Sequence, residues 1–303
     1  MQYENEEIIA IGEGSPLNIN WEMVSHCQFD CSYCYYRPFN SNTEYTTLSK
    51  IVLKKLKAIE EDFIINLIGG EPSLHPNFIS IIEELETIQN LKEIRIVTNF
   101  VKPESFWLKL PVSEKIKITA SFHPEYPNKG FIEKIDLLSN KYQMDTAFLF
   151  TNKLEEFEKY KHTFENLYKL AQENKHTLNC IRLHKETSHS VSYESYQEEI
   201  EAFIKICEEK VAKLENKETT LIKTAKTQKH ISKSEFLNNG YNQLEGWKCD
   251  IRAFIIHYDA QVSYACKSTK KHILTCDFKT SSIVCPFKLC ECDDYWSFEK
   301  VAP

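Results

Sequence analysis

His26-Cys27-Gln28-Phe29-Asp30-Cys31-Ser32-Tyr33-Cys34 puts three thiols within eight residues. Soft ligands this close on one stretch can hold a single metal centre, and thiolates favour an iron-sulfur cluster or zinc. Three is the informative number. A closed structural zinc or an ordinary electron-transfer cluster takes four protein ligands, so a three-thiol loop either recruits a distant fourth or leaves a metal position open to substrate or cofactor. Just upstream, Leu17-Asn18-Ile19-Asn20-Trp21-Glu22-Met23 alternates apolar with polar, as a strand with one buried face does. The loop therefore follows the first strand, at the end where α/β barrels keep their chemistry.

The rest of the chain repeats a strand–helix pattern. Residues 48–61 carry apolar side chains at helical spacing, with Thr46 or Thr47 available as a cap. Phe63-Ile64-Ile65-Asn66-Leu67-Ile68 is a nearly continuous apolar run suited to a buried parallel strand, and it ends in Gly69-Gly70-Glu71-Pro72. The chain has only seven glycines. Two in a row here imply backbone that bends sharply or meets a close neighbour. Further strands are predicted over 91–99, 115–123, 144–150 and 177–183, and helices over 76–89, 104–110, 131–140, 154–173 and 193–214. Six such units predict a parallel sheet with right-handed crossovers. Six are too few for a closed eightfold barrel, so the expected fold is α/β, a partial (β/α)6 TIM-like barrel.

Residues 1–16 show little pattern before the turn-forming Gly12-Glu13-Gly14-Ser15-Pro16. Residues 216–246 are polar and lysine-rich and read as a connector with room for a short hairpin. Six of the eleven cysteines fall in residues 247–303, which marks a small second unit after the barrel of residues 1–215. Cys249 and Cys266 flank two β-rich runs around a turn at Asp259-Ala260, and a hairpin there brings its ends together. Cys285-Pro286-Phe287-Lys288-Leu289-Cys290-Glu291-Cys292 supplies further thiols.

Net charge −7 and pI near 5.9 argue against nucleic acid or an anionic membrane surface as the main partner. No apolar run reaches transmembrane length, and the opening Met1-Gln2-Tyr3-Glu4-Asn5-Glu6-Glu7 is acidic where a secretion signal is basic. The expected location is the cytoplasm. Eleven cysteines in a reducing compartment read as metal ligands rather than disulfides.

The Cys-x3-Cys-x2-Cys spacing of Cys27, Cys31 and Cys34, with Tyr33 before the last thiol, resembles the signature of the radical S-adenosylmethionine (radical SAM) superfamily. Gly69-Gly70-Glu71 at the end of the second strand resembles that family's GGE motif. The resemblance implies that the three cysteines bind three irons of a [4Fe-4S] cluster and that S-adenosylmethionine chelates the fourth. Reductive cleavage then yields a 5'-deoxyadenosyl radical that abstracts hydrogen from substrate. It further implies that Gly69, Gly70 and Glu71 hold the methionine amino group, that Tyr33 supports the adenine through its backbone, and that Thr98-Asn99 and Ser121 lie near the cofactor. His123, one pleat beyond Ser121, reads either as a substrate contact or as a strand-end hydrogen-bonder.

The C-terminal cysteines resemble the SPASM or twitch extension of this family, which binds an auxiliary [4Fe-4S] cluster. Two departures stand out: Gln261 replaces the usual glycine five residues before Cys266, and the full set of seven SPASM cysteines is absent. One auxiliary cluster is therefore expected, on Cys249, Cys266, Cys285 and Cys290 or Cys292, with Cys276 spare and a structural zinc as the rival. Cys180 and Cys207 read as core residues, with a hydrogen-atom donor as the other reading. The resemblance implies a radical SAM oxidoreductase served by an external electron donor such as flavodoxin or ferredoxin. With 26 residues before Cys27, the expected substrate is a small molecule, such as a sugar, aminocyclitol or nucleoside-like metabolite. The alternatives are a peptide maturase that modifies or epimerises a precursor and a non-catalytic metal-binding scaffold.

Overall fold

The computed structural model describes residues 2–3, 6–34, 44–173, 175–183, 195–214, 219–232, 235–236, 239–264, 271–279, 281–288, 290 and 298–303. The chain opens with β1 (Gln2–Tyr3) and β2 (Glu6–Ile11). The repeating body follows: β3 (Leu17–Val24), α1 (Tyr45–Leu56), β4 (Phe63–Gly69), α2 (Phe78–Glu86), β5 (Leu91–Thr98), α3 (Glu104–Trp107), β6 (Ile116–Phe122), α4 (Phe131–Leu138), β7 (Gln143–Leu149), α5 (Leu154–Gln172), β8 (Thr177–Ile181) and α6 (Glu198–Val211). The rest is β9 (Thr219–Thr224), β10 (Gln228–Ser232), β11 (Lys248–Ile251), β12 (Ala253–Ile256), β13 (Gln261–Tyr264), β14 (Lys271–His272), β15 (Ser281–Val284) and β16 (Lys300–Val301).

Strands β3 to β8 lie side by side in chain order, every pair parallel. Among the described residues the sheet stays open: its path runs β14-β13-β12-β3-β4-β5-β6-β7-β8, and β14 and β8 do not pair. Alternation along each strand sorts the side chains by face. Leu17, Ile19, Trp21, Ile65, Leu67, Ile94, Ile96, Ile118 and Phe148 join helix residues such as Leu56, Ile82, Phe131, Phe164 and Ile204 in one core. Each such side chain contributes about 1.5–3 kcal/mol by leaving water. The other face of the sheet is mixed, with Asn18, Asn20, Asn66, Arg95 and Lys117 beside Ile64, Val97 and Leu149.

Residues 1–16 depart from their featureless reading. Strand β2 sits inside a second, antiparallel sheet of order β10-β9-β2-β16-β11-β15, with β1 paired to β2. The connector does fold into a hairpin, β9–β10, whose register pairs His230 with Leu221. The cysteine-rich tail is shared between both sheets: β11, β15 and β16 enter the second sheet, while β12 runs parallel to β3 and pairs Ile255 with Asn20. Ile8, Ile11, Ile222, Ile231, Phe236 and Trp247 form the second sheet's core. Among the described residues no helix is long and apolar enough to cross a membrane.

Candidate functional site

The cysteine loop and the Gly69-Gly70-Glu71 turn are fastened to each other. Gly70 N–H donates to Val24 O at 2.9 Å and Glu71 N–H donates to His26 O at 2.9 Å. A Cβ on Gly70 would stand 2.1 Å from His26 O, and Gly69, at φ +129°, would place one 2.5 Å from Val24 O. Both positions therefore exclude a side chain. The apolar strand before the turn sets its height in the sheet; the glycines let it touch the loop.

Glu71 is 1% exposed, and its carboxylate is filled by its own chain. Oε1 accepts from Thr98 Oγ1 at 2.7 Å and Ser73 N at 3.1 Å, and Oε2 accepts from Asn99 N at 2.8 Å. Burial pushes its pKa up, opposed by these donors. The carboxylate thus ties the ends of β4 and β5 together rather than facing a ligand, and what the turn presents outward is backbone. Thr98 is likewise spent, since its Oγ1 also accepts from Phe100 N at 2.9 Å.

All three loop thiols are half-buried. Burial pushes Cys27 up and Cys31 up to about 12, and the neighbouring thiols and carboxylates add to the shift. Thiolates in such a place form against cationic metal, which is what iron supplies. Among the described residues no three Cys, His, Asp or Glu side chains converge tightly enough for one ion. As a donor set, three half-buried thiols on one short loop would fit three irons of a cluster.

Neighbours hold the loop from outside. Cys27 Sγ accepts from Phe29 N at 3.3 Å and Asn99 Nδ2 at 3.5 Å. Glu125 accepts from Ser32 N at 2.6 Å and Ser32 Oγ at 2.5 Å and pairs with Lys153, which keeps its carboxyl below the usual range despite burial. His123 lies 3.1 Å from Tyr33 Oη and 3.7 Å from Cys31 Sγ, stacked on the Tyr33 ring. Burial lowers it to about 4, so it is neutral. His123 therefore packs on the loop rather than standing clear for substrate. Phe29 stacks on Tyr126 at 4.8 Å and lines a cleft of about 660 Å³ with Val101, Asn128, Lys129 and Lys134.

Ser121 pairs with Ala147, and the strand alternation puts it on the mixed face with Thr119 and Lys117, opposite core residue Phe122. One level of that face reads Asn20, Asn66, Arg95, Lys117, Gln143 straight across five strands. Asn66 Nδ2 donates to Asn18 Oδ1 at 2.5 Å and Asn20 Oδ1 at 2.7 Å, and Glu93 accepts from Arg95 Nε at 2.7 Å and Lys117 Nζ at 3.0 Å. At the β3 edge, His257 lies 3.0 Å from Glu22 through Nδ1 and 2.9 Å from Ser263 through Nε2. Sequence reasoning missed this group. The strand alternation already marked Glu22 as off the core face, but nothing local announced that residue 257 would arrive beside it.

The C-terminal thiols divide. Cys290 is buried in the second core with Cys285 packed against it, and Cys249 lies on β11 of the same sheet, paired with Ile283. Cys276 is buried elsewhere, in the main core, where its carbonyl accepts from Lys55 Nζ at 3.0 Å. Cys266 and Cys292 lie outside the described residues. Cys207 is fully buried in the main core, and Cys180, half-buried, packs against that core.

Comparison with known proteins agrees with this geometry. Residues 21–141 match the model of the Radical SAM superfamily. A GTP 3',8-cyclase of Haemophilus influenzae is 31% identical over 98 residues, covering 30% of this chain and 29% of that enzyme. One of Mannheimia succiniciproducens is 28% identical over 95 residues, 29% of this chain and 28% of the enzyme. The chain thus spans less than a third of the length of the curated relatives it matches. Among solved structures, Streptococcus suis SuiB bound to S-adenosylmethionine superposes with a TM-score of 0.52 at 13% identity, over 86% of this chain and 64% of that one. anSMEcpe with bound AdoMet and Cp18Cys peptide gives 0.51 at 16% identity, over 88% and 75%. These two likenesses are of fold. The three-cysteine loop and the turn locked onto it thus both lie within the stretch, residues 21–141, that matches the Radical SAM superfamily model.

Proposed function

We propose that this chain is a radical SAM enzyme that abstracts hydrogen from a small polar molecule held on the helix-free face of the sheet. The observation that carries it is the lock between Gly70 and His26, which sets an outward-facing backbone turn against a loop of three thiols. In this reading Cys27, Cys31 and Cys34 hold three irons of a [4Fe-4S] cluster. The backbone of Gly69, Gly70 and Glu71 takes the amino group of S-adenosylmethionine, with Tyr33 and Ser121 nearby. The cluster, when bound, supplies the electron that splits the sulfonium. The chain's own residues position the two partners, and the wall of Asn18, Asn20, Asn66, Arg95 and Lys117 offers both donors and acceptors to a polar substrate. A nucleoside-like substrate is in line with the similarity to GTP 3',8-cyclases.

Cys249, Cys285 and Cys290, with Cys266 and Cys292, are proposed as the source of an auxiliary cluster's ligands, and a flavodoxin or ferredoxin as the electron donor. The protein is proposed to work in the cytoplasm. Anaerobic reconstitution should yield about eight irons per chain if two clusters form and about four if one does. Reduced protein should release 5'-deoxyadenosine from S-adenosylmethionine, and a Cys27/Cys31/Cys34 triple alanine should not. A colourless zinc protein that leaves the sulfonium intact overturns the enzyme reading; turnover with a peptide alone replaces the small-molecule substrate.

A further inference from the structure

We propose that Asn99 is a positioning residue for the cluster: its side-chain amide donates to the Cys27 thiolate and thereby raises the cluster's reduction potential. The inference rests on the function proposed above. It departs from the contact with S-adenosylmethionine that the family resemblance suggests for this position.

The orientation of the amide is settled by its partners. Asn99 is 6% exposed. Its Oδ1 accepts from Gln28 Nε2 at 2.9 Å and from Val101 N at 3.2 Å. An amide whose oxygen is engaged by two donors has its nitrogen on the other side, and here Nδ2 points at Cys27 Sγ, 3.5 Å away. The backbone is held as firmly, since Asn99 N–H donates to Glu71 Oε2 at 2.8 Å and Glu71 N–H donates to His26 O. Next to it Phe100 sits at φ +59°, a strained conformation that persists only where the surroundings impose it. Lys134 Nζ supplies part of that restraint by donating to Phe100 O at 2.5 Å.

Cys27 thus carries two N–H donors, Phe29 N from the backbone and Asn99 Nδ2 from a side chain. Hydrogen bonds to cluster sulfurs favour the more negative, reduced state, because the thiolates carry more charge there. The backbone donor is beyond mutation; the amide is not. Gln28, exposed and bonded to the amide oxygen, acts one step further out.

The test uses the full chain, reconstituted anaerobically and without S-adenosylmethionine, with iron content and an EPR-monitored redox titration as readouts. Asn99→Leu, similar in size without a donor, should keep the wild-type iron content and shift the loop cluster to a more negative potential. Asn99→Gln should recover part of the shift. Gln28→Ala, on the surface, should retain iron and shift the potential in the same direction by less. Wild-type potentials in the iron-loaded variants overturn the proposal. If Asn99→Leu fails to hold iron, Gln28→Ala decides, and an unchanged potential there overturns it as well. A wild-type chain that assembles no cluster would instead sink the enzyme reading.

Discussion

At Gly70 a single hydrogen in place of a methyl group decides whether the cysteine loop can close on the sheet. A Cβ there would stand 2.1 Å from His26 O, a backbone atom with no rotamer to escape into. Gly70→Ala should therefore displace the loop. The expected outcome is a folded protein that retains less than about half the wild-type iron on reconstitution, read by iron assay beside circular dichroism. Lys134 gives a second residue-level prediction. Its ammonium is held against Phe100 O, Lys102 O and Asn128 Oδ1, and burial lowers its pKa from 10.5 to about 8. Between those two values the unfolded chain keeps the proton that the folded chain has released, so unfolding free energy rises with pH across the window and is lost as pH falls through 8. Urea midpoints should climb over that interval for the native protein and stay flatter for Lys134→Met. The glycine pair was conspicuous in the sequence. Its partner atom was not, because a backbone carbonyl 44 residues away has no sequence signature.

At the scale of elements, the docking of β12 on β3 carries a polar bridge. His257 links Glu22 of β3 to Ser263 of β13, with Glu22 and His257 side chains only 13% and 15% exposed. His257→Ala leaves both partners short of a hydrogen bond in a half-dry site, and should cost about 1–3 kcal/mol in chemical denaturation. An unchanged midpoint would mean that the bridge contributes nothing to docking. Packing of α5 and α6 against the sheet gives a larger number. Phe164 is fully buried and meets Phe148 edge-on at 5.6 Å and Phe203 at 6.0 Å. Phe164→Ala opens a cavity no neighbour can fill, with a loss of about 3–5 kcal/mol expected in the same assay. Strands β3 to β8 were legible because each runs for at least five residues, long enough to show an alternation or, at β4, a nearly continuous apolar run. The hairpin β12–β13 was legible from its two β-rich runs around Asp259-Ala260, whereas four-residue β11 and β15 and two-residue β1 are too short to carry a period.

At the scale of the whole molecule, both sheets depend on the C-terminal 57 residues. Strand β12 covers the edge of β3, and β11 and β16 complete the sheet that β2 and β9 begin. A chain ending before Trp247 should expose two unpaired edges and aggregate, read by solubility and size-exclusion chromatography. A soluble truncated chain that still assembles the loop cluster would instead make the tail a separable unit. By itself the sequence determined the order of the strands and helices from β3 to α6, the three-thiol loop and the glycine turn, because periodicity and spacing are local properties of a chain. Only the tertiary structure decided that the Glu71 carboxylate is spent on Thr98 and Asn99, that Asn99 aims its amide at Cys27, and that Glu22 meets a histidine 235 positions later. Those contacts depend on which strands become neighbours and in what register, and register is set by the burial of the whole core rather than by any one stretch.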